Sequence, residues 1–113
     1  FNTLASPAYS VAIGDRCMAG GVATGQYNVG IGQVSLYNLT SGNENTGVGF
    51  QALNQLTSGA NNTTLGSNSG YSLTTGYRNT LIGFAVEQFR ISAHQCLVQN
   101  GSMQGATWVD LFH

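Results

Sequence analysis

The chain of 113 residues contains no lysine, and its only cations are Arg16, Arg78 and Arg90. Charged residues make up 6% of it, against roughly 25% in a typical soluble protein. With Asp15, Glu44, Glu87 and Asp110 the formal net charge is −1. Nucleic-acid binding is therefore not expected, because neutralising phosphates needs clustered cations. No apolar run approaches the ~20 residues of a membrane span, and no basic-then-apolar leader opens the chain. No membrane insertion is expected. Proline occurs once, at Pro7, and cysteine twice. Cys17 and Cys96 lie too far apart for a metal or redox motif, so they read as buried free thiols, with a disulfide as the alternative. The glycine-rich phrases are not phosphate loops, since no lysine follows them and no helix opens there. Beginning at Phe1, the chain is expected to be a piece of something longer.

What fills the space is Gly, 16 residues of it, with Asn, Thr and Ser. Such a composition suggests disorder until its order is noticed. The phrase "NTGVG" at 45–49 returns as "NTTLG" at 62–66 and "NTLIG" at 79–83, and precedes itself as "NVGIG" at 28–32 and "SVAIG" at 10–14. Its closing glycines are Gly14, Gly32, Gly49, Gly66 and Gly83, giving intervals of 18, 17, 17 and 17 residues. A fixed period of this length marks a repeat architecture. A second phrase recurs within each unit: "LTSG" at 39–42 and 56–59, "LTTG" at 73–76, and "VATG" at 22–25 in outline.

Alternation of apolar and small residues within the first phrase is a period of two, which specifies a strand. Helix is disfavoured because each interior glycine costs about 1 kcal/mol. Short strands separated by glycine corners predict an all-β, parallel β-solenoid of about five coils, stacked at ~4.8 Å. In this reading Ile13, Ile31, Val48, Leu65 and Ile82 form one interior ladder, and Leu39, Leu56 and Leu73 a second. Asn28, Asn45, Asn62 and Asn79 form an amide ladder at a turn. Gly32, Gly49, Gly66 and Gly83 supply positive φ or close backbone approach. Coils this thin bury little surface, and their ends expose edges, so self-association about an axis is the economical solution.

The run "NTGVGFQALNQLTSGANNTTLGSNSGYSLTTGYRNTLIG" resembles repeats of bacteriophage tail-fibre and tailspike proteins. With "SVAIG" it also resembles the head repeats of trimeric autotransporter adhesins. The resemblance covers about residues 9–84. It implies a left-handed β-roll, a homotrimer, and a location on a virion or an outer cell surface. The implied function is structural and adhesive: a tail-fibre or tailspike segment that helps recognise a host-surface polysaccharide or protein receptor. A unit of 17 residues is longer than the usual adhesin-head repeat and points to the phage variety.

Residues 1–8 read as a lead-in and 85–113 as a small C-terminal β-hairpin cap or tip. Asn100-Gly101 supplies a type I′ turn signal there. Exposed aromatics can stack on sugar rings, and Trp108, Tyr37 and Tyr71, with His94, are the candidate receptor contacts. For the repeat aromatics, packing between chains is the competing role. No catalytic or metal site is expected and no cofactor. The acids are scattered, His94 and Cys96 lack an orienting third group, and His94 with His113 lacks the spacing of a metal ligand pair. Two other functions compete. Files of Thr40, Thr57, Thr74 and of Thr46, Thr63, Thr80 suit an ice-binding solenoid, although the first file breaks at Ala23. A fragment of a glycan-degrading tailspike is the other.

Overall fold

The computed structural model describes residues 9–20, 23–86 and the strand 96–98. Its strands are β1 (Val11–Ile13), β2 (Val29–Ile31), β3 (Thr46–Val48), β4 (Thr63–Leu65), β5 (Thr80–Ile82) and β6 (Cys96–Val98). They form one parallel sheet in sequence order, β1 to β6. Pairing is in register throughout: Val11 faces Val29, then Thr46, Thr63 and Thr80. The β-solenoid predicted from the repeat is thus present. It does not end with the glycine period, because Thr80 pairs with Cys96 and adds a sixth rung. The hairpin expected around Asn100-Gly101, like the lead-in at 1–8, lies outside the described residues.

Among the described residues only one arm of each coil is a strand. The other is a run of turns, and it stacks by backbone hydrogen bonds between coils. Leu36 N–H donates to Ala52 O (2.9 Å), Leu53 N–H to Ser69 O (3.0 Å), and Gly70 N–H to Val86 O (2.6 Å). To aim these groups along the stack, the turns place Arg16, Val34, Gln51, Asn68 and Ala85 at φ of 50–60°, and Met18, Leu36, Leu53 and Gly70 likewise in the left-handed region. Left-handed backbone costs an L-residue roughly 1–2 kcal/mol, against an inter-coil bond for each buried amide that would otherwise go unpaired.

The interior corrects one expectation. Ile13, Ile31, Val48, Leu65 and Ile82 do not form a core ladder; Ile13 is 41% exposed and Leu65 50%. In a three-residue strand the middle side chain points opposite to its flanks. Here the middle file, Ala12, Gly30, Gly47, Thr64 and Leu81, points inward, together with Asn28, Asn45, Asn62 and Asn79. The apolar core across the narrow coil is the file Leu39, Leu56 and Leu73, as expected, joined by a second file, Met18, Leu36 and Leu53, from the turns.

Two core files exchange volume along the stack. Near the start the inward strand residue is Gly30, and a Cβ there would meet Cys17 Sγ at 2.7 Å and Met18 Cε at 3.1 Å. Near the end the strand contributes Leu81 instead, and the turn file shrinks to Gly70, whose Cβ would meet Leu81 Cδ1 at 3.3 Å. Packing at near-crystalline density requires such compensation. Between these extremes sits Thr64, fully buried, with a hydroxyl that has no hydrogen-bond partner. Thr64→Val is therefore expected to stabilise the fold by about 1 kcal/mol, since an unpaired buried hydroxyl carries its desolvation cost. Chemical denaturation compares the two chains; a loss of stability would show that the hydroxyl has a hidden partner.

Candidate functional site

The two candidate surfaces are the amide ladder inside and the sheet's outer face. The ladder is fully buried. Asn45 Nδ2 donates to Asn28 Oδ1 (3.1 Å) and to Gly59 O (2.9 Å). Its own Oδ1 accepts from the Asn62 backbone N–H and from Asn62 Nδ2, both at 3.0 Å. Asn79 repeats the pattern on Asn62, and the file begins at Ser10, whose Oγ accepts from Asn28 N–H (3.0 Å). All the amides point the same way, so each carbonyl is already polarised by the bonds its neighbour makes. This file is structural, and no ligand reaches it.

The outer face of the sheet is what solvent meets. It carries Val11, Val29, Thr46, Thr63 and Thr80 in one file and Ile13, Ile31, Val48, Leu65 and Ile82 in the next. None of these side chains is charged. Beyond the glycine corner follow Asp15, Gln33, Phe50, Ser67 and Phe84, of which all but Ser67 are exposed. The described charges stand at the margins. Arg16 Nε lies 3.2 Å from Asp15 Oδ2, and both are well exposed. The Asp15 carboxyl is held below its usual range, first by a hydrogen bond from Gln33 and then by Arg16. Exposed apolar side chains in register make this face the candidate interaction surface.

The sequence-predicted contacts fall elsewhere. Tyr37 and Tyr71 share one file two coils apart, with Asn54 between them, and both are half-buried. The Tyr37 ring lies directly over the Gly20 backbone. Trp108 and His94 lie outside the described residues. The exposed aromatic contact that periodicity missed is Tyr9 on Tyr27, stacked with centroids 5.5 Å apart. Both are at positive φ, a conformation for which their residue type gives no signal.

The hydroxyl files divide. Thr24, Thr40 and Thr57 donate their hydroxyls to the carbonyls of Thr40, Thr57 and Thr74, at 3.4, 3.2 and 3.3 Å. This file does not break at Ala23, since Thr24 takes the place and Ala23 turns into the core. Thr46, Thr63 and Thr80 stand on the outer face instead.

The Cys17 thiol is buried, and burial pushes its pKa up. Cys96 opens β6, five rungs away on the order of 20 Å, beyond the reach of a disulfide within one chain. Among the described residues no three His, Cys, Asp or Glu side chains converge on a metal-binding position, and no helix is long and apolar enough to cross a membrane. No family model, curated protein or solved structure matches this chain.

Proposed function

We propose that the chain is a rigid, self-associating segment of an extracellular fibre, built to hold a recognition element away from its base. The observation that carries this reading is the outward aliphatic file from Ile13 to Ile82, uncharged along its length and in register with itself at every rung. A regularly spaced apolar surface is matched best by another with the same ~4.8 Å rise, which a second copy supplies. Together with the tail-fibre and adhesin-like repeat phrase, this supports a homotrimeric, left-handed β-roll in a phage tail fibre or tailspike, with a host-surface polysaccharide or protein as receptor. Trp108 and His94, with Tyr37 and Tyr71, remain the proposed receptor contacts.

Light scattering after size exclusion should return three chains for the parent protein. The variant Ile31→Asp/Leu65→Asp should elute as one chain with unchanged circular dichroism, because both side chains are solvent-facing in the single copy and only assembly buries the new charges. A parent protein that is already monomeric at micromolar concentration sinks the reading.

One feature favours a second function. The outward Thr46, Thr63 and Thr80 file is in register, as a water-ordering surface requires. Ice binding is checked by thermal hysteresis, and its absence removes that alternative.

A further inference from the structure

We infer that Tyr9 and Tyr27 form an oxidative cross-linking site, where a one-electron oxidant staples the coils of β1 and β2 through a dityrosine bond. The inference stands apart from the self-association and receptor readings above. Tyr9 and Tyr27 occupy the same place in successive coils, two residues before Val11 and Val29, which pair in the sheet. Their rings are stacked, with centroids 5.5 Å apart and planes inclined by 12°. Both are open to solvent, Tyr9 at 74% and Tyr27 at 58%, so a diffusing oxidant reaches them.

The backbone holds the pair together. Beside the rings, Asn28 N–H donates to Ser10 Oγ (3.0 Å) and Val11 N–H to Asn28 O (2.8 Å). Tyr9 and Tyr27 themselves sit at φ of 36° and 61°, a left-handed backbone that persists in an L-residue only where its surroundings fix it. Other described tyrosines are too far apart to compete. Tyr37 and Tyr71 stand two rungs apart, about 10 Å, and Tyr77 lies three rungs beyond Tyr27, about 14 Å.

The coupling step balances with one named co-reactant, hydrogen peroxide acting through a haem peroxidase. The oxidant takes one hydrogen atom from each phenol. Each phenoxyl radical carries unpaired spin on the ring carbons beside its oxygen, and one such carbon of each ring bonds to the other. Each joined carbon then releases its proton as its oxygen regains one. Two hydrogens have left the protein, and one peroxide has become two waters. The new carbon–carbon bond fastens β1, the edge strand of the described sheet, to its neighbour. Edge elements open first because they are paired on one side only, and a covalent loop restricts the opened chain.

The test treats the full chain with a haem peroxidase and hydrogen peroxide, then denatures it. Dityrosine fluorescence should appear in a product of single-chain mass. Cleavage after Arg16 separates residues 1–16, whose one tyrosine is Tyr9, from the rest of the chain, and in the product these two pieces should stay joined. Tyr9→Phe and Tyr27→Phe keep a stacking ring but lack the phenol, so either should lower the joined product several-fold. Tyr77→Phe should leave it unchanged. The coupled chain should also unfold at a higher urea concentration than the untreated one. Fluorescence confined to products of twice the mass, or joined pieces that persist in Tyr27→Phe, overturns the site. Coupling that leaves the urea midpoint unmoved overturns its role as a staple.

Discussion

Replacing Asn45 with alanine is expected to cost about 4 kcal/mol, most of the margin by which a small domain stays folded. The side chain makes four hydrogen bonds, two given and two received, in a fully buried position. Alanine leaves the Gly59 carbonyl and the Asn62 backbone N–H without these partners. Each such loss costs about 1–3 kcal/mol when water cannot replace it. The vacated volume adds a cavity term. Asn28 Oδ1 is less affected, since it still receives the Asn45 backbone N–H at 2.9 Å. Position along the ladder should matter. Ser10→Ala removes one acceptor at the partly buried start of the file and should cost only about 1 kcal/mol. Urea denaturation at one fixed protein concentration measures both, because assembly would otherwise make the midpoint concentration-dependent. Equal losses at the two positions would show that the number of buried partners lost does not set the cost.

Gly49→Ala is expected to be comparably severe, again about 4 kcal/mol, for two separable reasons. The residue has φ of +134°, where an L-residue stores about 1–3 kcal/mol of strain. A Cβ there would also lie 2.4 Å from Gly66 O and 2.6 Å from Gly66 C. The obstruction is backbone on the next coil, so relief requires spreading the sheet, and overpacking of this kind costs about 1–3 kcal/mol. Gly59→Ala isolates the second term. Its Cβ would meet Gly76 O at 2.3 Å, yet its φ lies outside the left-handed region. Thermal unfolding should therefore rank Gly49→Ala below Gly59→Ala, and both well below the parent. A Gly49→Ala chain as stable as the parent would show that neighbouring coils tolerate separation, and the rigid-rod proposal would weaken with it.

These two positions were legible because they recur. Asn45 and Gly49 belong to files visible as identical letters every 17 residues, and recurrence at one place in every coil signals a requirement of stacking. The aliphatic file is equally visible in the sequence, but the side it takes is not. Alternation gives two faces and does not label them. The hydrophobicity of Ile31 and Val48 argues for the interior, yet the inward side of a three-residue strand at this point is barely wide enough for Gly30 and Gly47. Polar Asn28 and Asn45 go inside because glycine carbonyls and neighbouring amides wait there to be paired. The left-handed residues were less legible still. Val34 and Leu36 give no hint of φ near +50°, since their conformation is imposed by the coil above and below.

From its letters alone this chain determines that it stacks: the period, the strand positions, the glycine corners and the amide file all follow from residues that must match their own copies one turn away. Which side of each strand faces inward and where the turn arm takes left-handed backbone were decided only when the coil closed. Those features depend on the cross-section of the coil, a distance set by two arms meeting at once, and no local pattern within either arm contains it.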